Sequence, residues 1–138
     1  MSAETKQIVL SWLGDLRFEG GEPGGPTTLV DGDNRKAPGP MLTLLLAAAS
    51  CSGADVVSIL DKMRISVRAF RIEASGTRHE QEPRRYVALH LVYYLDGEGL
   101  DQTKARRAID LSIQKYCSVM HSLAPDIPIT YDLKLLAK

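Results

Sequence analysis

A chain of 138 residues suits one domain and is long enough to bury a core. Its 44% hydrophobic and 25% charged residues are ordinary for a soluble globular protein. Seventeen Lys and Arg balance seventeen Asp and Glu, and aromatics reach only 6%. The sequence therefore carries neither the basic footprint of a binder of nucleic acid or anionic membrane nor platforms for stacking bases.

No basic region followed by an apolar run opens the chain (MSAETKQIVLSW), so a secretory signal is not expected. Residues 7–13 (QIVLSWL) read as a strand, and residues 16–19 (LRFE) follow Gly14-Asp15 as the second arm of a hairpin. Residues 20–26 (GGEPGGP) are a loop by composition; with no Lys-Ser/Thr ending and no following helix they make no phosphate cradle. A third short strand is expected over residues 27–31 (TTLVD). The polar loop of residues 32–40 (GDNRKAPGP) then prepares a helix start with its prolines.

The helix runs from Met41 to about Arg64. Its uncharged stretch ends at Ala54, short of the roughly 20 residues that span a bilayer, so a core helix is expected and a membrane partner is not. Its first half is apolar on nearly every side, which implies burial all round. One hairpin and one small sheet are too little cover for it, and a second copy of the chain, in a homodimer, would supply the rest. Ala47, Ala48, Ala49 and Gly53 would let another backbone come close.

Two long strands follow. Residues 65–75 alternate around Val67, Ala69 or Phe70, and Ile72; residues 76–85 form a charged turn. Residues 86–96 (YVALHLVYYLD) place Val87, Leu89, Leu91, Tyr93 and Leu95 on one side and His90 on the other. Asp101 then caps a helix reaching residue 123, with Ala105, Ala108, Ile109, Ser112, Ile113, Tyr116, Cys117, Met120 and Leu123 on its core side. Pro125 and Pro128 end it, and residues 129–136 (ITYDLKLL) form a last strand. The order βββ-α-ββ-α-β describes a mixed α+β chain, read as one domain over residues 1–138.

Cys51 and Cys117 are the only cysteines, one in each long helix. Two are too few for a disulfide scaffold, and a reducing cytoplasm is the expected home. They form either a reactive pair or two small packing residues, since free cysteine is among the most buried residue types. A reactive thiol needs its thiolate stabilised. Cys51 lies about three turns into its helix, where the macrodipole offers little, and Asp55 at i+4 puts a negative charge on the same face. A stabilising cation would come from elsewhere in the fold: Arg35 or Lys36 in the preceding loop, or Arg17 from the hairpin of either subunit. His121 stands four residues after Cys117, but a structural zinc site needs four ligands and no further CxxC or HxxxH pattern supplies them. No metal and no cofactor are expected. His79, His90 and His121 sit in no recognisable nucleophile motif.

The layout also resembles a known family. A three-strand start, a Pro-led apolar helix with a central cysteine, two long strands and a second helix carrying KYCSV are similar to the OsmC/Ohr family, the osmotically inducible and organic hydroperoxide resistance proteins. The likeness is sharpest at Pro40-Met41, in LLLAAASCSGAD (residues 44–55), in VVSILDKMR (residues 56–64) and in AIDLSIQKYCSV (residues 108–119). It implies an intertwined homodimer with central helices and with Cys51 and Cys117 close together at its interface. It also implies a peroxidatic Cys51 that becomes a sulfenic acid, and a resolving Cys117 that condenses with it to a disulfide, which a dithiol reductant reopens.

Two residues of the family pattern are replaced. Active members carry a glutamate about one turn after the helix-opening proline, where this chain has Met41, Leu42 and Thr43. They also carry an arginine that the glutamate orients, at a position falling near Asp31, with Arg35 the nearest arginine. The expected function is a thiol-dependent peroxidase-like redox protein reducing organic hydroperoxides through Cys51 and Cys117, with Arg35 as thiolate stabiliser. The alternative is a non-catalytic binding protein for a small hydrophobic or electrophilic ligand in a pocket of Met41, Leu42, Leu45 and the thiols. A purely structural dimer with packing cysteines is the third reading.

Overall fold

The computed structural model describes residues 3–136, which group into two compact units, one ending at Leu44 and one beginning at Leu45. The mixed α+β order expected from the sequence is observed, with two three-stranded sheets.

In the first unit, β1 (Val9–Gly14), β2 (Arg17–Gly21) and β3 (Thr27–Asp31) form an antiparallel meander in that order. The β1–β2 turn needs left-handed backbone at Gly14 (φ 111°) and Asp15 (φ 49°), and the Trp12 indole N–H donates to the Asp15 carbonyl at 2.8 Å. The loop after β3 is organised by a buried acid. The Asp31 carboxylate accepts backbone N–H groups of Asp33 (2.8 Å), Lys36 (3.0 Å) and Arg35 (3.4 Å), which hold its carboxyl below the usual range. Trp12 in this sheet is 67% exposed, and Ile8, Leu10, Leu16 and Leu29 are exposed as well. These side chains leave apolar surface exposed on the first unit.

Helix α1 (Pro40–Lys62) begins in the first unit and runs through the second. Proline fits its first position because the missing N–H would have no partner there. Arg64 (φ 63°) ends it in a Schellman closure: Ile65 N–H reaches the Leu60 carbonyl at 2.9 Å and Arg64 N–H that of Asp61 at 2.9 Å, while the side chains of Leu60 and Ile65 are both buried. The expectation of burial on every side is corrected here. One stripe is buried (Leu45, Ala48, Ser52, Val56 and Leu60), whereas Leu42, Leu46, Ser50, Ala54 and Val57 form an exposed second stripe. By length and composition α1 could cross a membrane, yet its buried stripe is that of a helix laid on a sheet.

That sheet has the order β4 (Ser66–Arg78), β5 (Tyr86–Glu98), β6 (Ile129–Leu135). The ambiguous phase of β4 has a physical cause: Val67 faces Gly97 and Ala69 faces Asp96, so Arg68 is an extra residue in a bulge and inward positions resume at Phe70 and Ile72. On β5, Leu89, Leu91, Tyr93 and Leu95 are buried in strict alternation. A β6 parallel to β5 requires a crossover, supplied by α2 (Gln102–Leu111) and the segment that follows it. Asp101 caps α2 as expected, accepting the Lys104 N–H at 2.8 Å.

Candidate active site

The second helix is not continuous to residue 123. After α2 the chain widens into a π segment (Ser112–Tyr116), leaves helical geometry at Cys117 (φ −72°, ψ 97°) and re-enters a single turn, α3 (Ser118–His121). Positions 112 and 117 of a regular α-helix would point about 140° apart at 3.6 residues per turn. The bond from Cys117 N–H to the Ser112 carbonyl, 2.7 Å, spans five residues instead and brings both side chains into the core. The same widening corrects Tyr116: expected on the core side, it is 49% exposed.

Cys51 comes from the fourth turn of α1 and Cys117 from the break, and both are free thiols. Their sulfurs and one carboxylate oxygen of Asp55 all lie within 4.8 Å of one another. Asp55 stands on the same face as Cys51, one turn on, as its i+4 spacing requires. Cys117 is fully buried, with its sulfur 3.9 Å from the Ala48 carbonyl. The Asp55 carboxylate is held by the Ser112 hydroxyl at 2.9 Å. Ser112 and Ser52 hydroxyls lie 2.9 Å apart, and Ser52 is 2.7 Å from the Tyr93 hydroxyl. Three hydroxyls that each donate once give a chain running from Tyr93 through Ser52 and Ser112 to Asp55. Phe70 stacks on the Tyr93 ring and Tyr131 meets its edge, so the far end of the chain is fixed by packing.

By residue spacing alone Ser112 and Tyr93 fall on apolar faces, and Ser52 carries no marked role. The available signal was a serine at a core position of each helix, since a buried hydroxyl needs a partner.

Burial pushes the Cys117 thiol up to about 11; the Met120 N–H works against this, and Cys51 and Asp55 push the same way as burial. The folded chain therefore keeps this proton where an unfolded chain, with the thiol near 9.0, releases it. The resulting stability is complete below about pH 9 and is lost as pH rises from about 9 to about 11. Reduced protein is expected to lose about 3 kcal/mol from this source across that window. Urea melts at successive pH values should show the slope, and Cys117→Ala should flatten it. An unchanged slope in the variant would assign the loss to other groups, such as Tyr93, which burial raises to about 12.

Cys51, Asp55 and Cys117 are the donors that could hold a metal ion among the described residues. They offer two soft ligands and one hard one, a donor short of a closed zinc site. His121 is turned elsewhere, with Nε2 3.0 Å from the Ile113 carbonyl. Arg35 belongs to the first unit, where its backbone is tied to Asp31 and its side chain is exposed.

Comparison with known proteins identifies the same architecture. Residues 32–132 match the model of a family described as OsmC-like protein. Protein YhfA of Escherichia coli is 37% identical over 132 residues, covering 95% of this chain and 98% of that protein. The crystal structure of a hypothetical protein from Aquifex aeolicus superposes with a TM-score of 0.83 at 29% identity, covering 98% of this chain and all (100%) of that one. The organic hydroperoxide resistance protein OhrB of Bacillus subtilis shares the fold at a TM-score of 0.63 and 14% identity, over 95% of this chain and 98% of its own.

Proposed function

From a chain that belongs to the OsmC-like family, we propose a thiol-dependent peroxidase that reduces organic hydroperoxides. The observation that carries this reading is the approach, within 4.8 Å, of the only two sulfhydryls in the sequence, which come from separate helical segments. The fold it shares with an organic hydroperoxide resistance protein supports the same chemistry.

In this reading the Cys51 thiolate attacks one peroxide oxygen. The S–O bond forms, the O–O bond breaks, and the alkoxide leaves and is protonated to an alcohol. Cys117 then attacks the Cys51 sulfenic acid, and a disulfide and water result. A dithiol returns both cysteines to thiols by exchange. Arg35 is the proposed thiolate stabiliser. Met41 and Leu42 bring no carboxylate, which suits an apolar hydroperoxide better than hydrogen peroxide. The working form is a cytoplasmic homodimer packed across the exposed stripe of α1.

Purified protein supplied with cumene hydroperoxide and a dithiol is expected to turn over many equivalents, and faster than with hydrogen peroxide. Consumption that stops at one equivalent per thiol pair would overturn the peroxidase reading. A small apolar molecule co-purifying in stoichiometric amount would then favour a binding protein.

A further inference from the structure

We propose that Asp55 carries the proton in the second half-reaction, from the Cys117 thiol to the hydroxide that leaves the Cys51 sulfur. This rests on the peroxidase reading and assigns a residue to a step that the thiols alone cannot balance. When the Cys117 sulfur attacks, an S–S bond forms and the S–O bond of the sulfenic acid breaks. The Cys117 S–H must lose a proton, and the departing hydroxide must gain one. One proton thus moves from sulfur to oxygen within the site.

Cys117 is fully buried, out of reach of solvent bases. An oxygen of Asp55 lies within 4.8 Å of both sulfurs, so a single carboxylate addresses donor and acceptor of the proton. The Ser112 hydroxyl at 2.9 Å fixes that carboxylate, and Ser112 is itself bonded to Ser52, which Tyr93 holds in turn. A base positioned by a locked hydroxyl chain is pre-organised for transfer. The burial that keeps Cys117 protonated at neutral pH makes a base necessary, because a neutral thiol is a poor nucleophile. The titratable groups around Cys117 are Cys51, Asp55 and Tyr93. Asp55 is the one carboxylate among them, and its oxygen lies within 4.8 Å of both sulfurs.

Asp55 has an opposite influence on the first half-reaction. In that step negative charge moves onto the departing alkoxide oxygen, which a carboxylate beside the Cys51 sulfur repels. Asp55→Asn is therefore expected to speed sulfenic acid formation several-fold and to slow disulfide formation by about 10²-fold at pH 7. A loss of packing or folding would slow both steps together. With the base removed, the disulfide rate should climb about tenfold per pH unit between pH 7 and 9, whereas the unmodified protein should show a much flatter profile. Asp55→Glu should recover part of the rate.

The experiment is stopped-flow mixing of reduced dimer with one equivalent of cumene hydroperoxide. A dimedone-type nucleophile traps the sulfenic acid, and mass spectrometry reads the loss of two hydrogens at the disulfide. Disulfide formation in Asp55→Asn at the unmodified rate would overturn the proposal, as would a slowing with no change in pH profile. Absence of any trapped sulfenic acid in Cys117→Ser would instead overturn the peroxidase reading, and this assignment with it.

Discussion

Cys51→Ser is expected to abolish hydroperoxide turnover, by on the order of 10³-fold or more, because the remaining thiol, Cys117, is fully buried and held protonated. Cys117→Ser should behave differently. The first equivalent of hydroperoxide should still be consumed, leaving a Cys51 sulfenic acid that persists long enough to be alkylated, while dithiol-driven turnover falls. The pair of variants separates the two roles, which a single knockout would not. The reverse outcome, with Cys117→Ser silent and Cys51→Ser still reacting, would exchange the roles of the two thiols. A hydroperoxidase activity that survives both substitutions would remove the cysteines from the chemistry altogether.

The second large effect concerns the uncovered face of α1. Leu46 is 56% exposed and Val57 44%, and between them Ser50, Gly53 and Ala54 leave the helix backbone open to close approach. An open apolar groove of about 710 Å³ runs alongside, lined by these residues with Phe70 and Ile72. Leu46→Asp would place a carboxylate in the middle of the proposed subunit interface, where an unpaired charge costs several kcal/mol. Each 1.4 kcal/mol is tenfold in the dissociation constant, so a rise of about 10³-fold is expected. Sedimentation at micromolar concentration should then report monomer or loss of fold, with Leu46→Met remaining dimeric. A Leu46→Asp protein that sediments as an unperturbed dimer would move the interface to another surface.

Much of the architecture was legible in residue patterning because its causes are local. The alternation from Leu89 to Leu95 and the Asp101 cap depend on neighbours a few positions away, and both are observed. The meeting of Cys51 and Cys117 was legible only through family resemblance, since no local rule links residues so far apart. Two features resisted for physical reasons. The Arg68 bulge shifts the phase of β4, so the inward series could be read through Ala69 or Phe70. The π segment inserts one residue into a helical turn, and a 3.6-residue template then counts Tyr116 as buried when it is exposed. The hydroxyl chain was missed because serine at a core position looks like a small packing residue until its partner, here from another element, is known.

The closeness of the two sulfurs also ties the redox state to the denatured ensemble. Joining Cys51 to Cys117 would close a loop of roughly 65 residues and, in the chain-entropy account, stabilise the fold by about 4 kcal/mol. A thermodynamic cycle makes that figure symmetric: whatever the bond adds to folding, folding adds to the bond's resistance to reduction. A reductant acting on the folded protein must overcome that coupling once, in addition to the bond's intrinsic stability. A dithiol that closes its own ring on release meets that demand better than a single thiol, whose mixed disulfide the neighbouring cysteine would readily reverse.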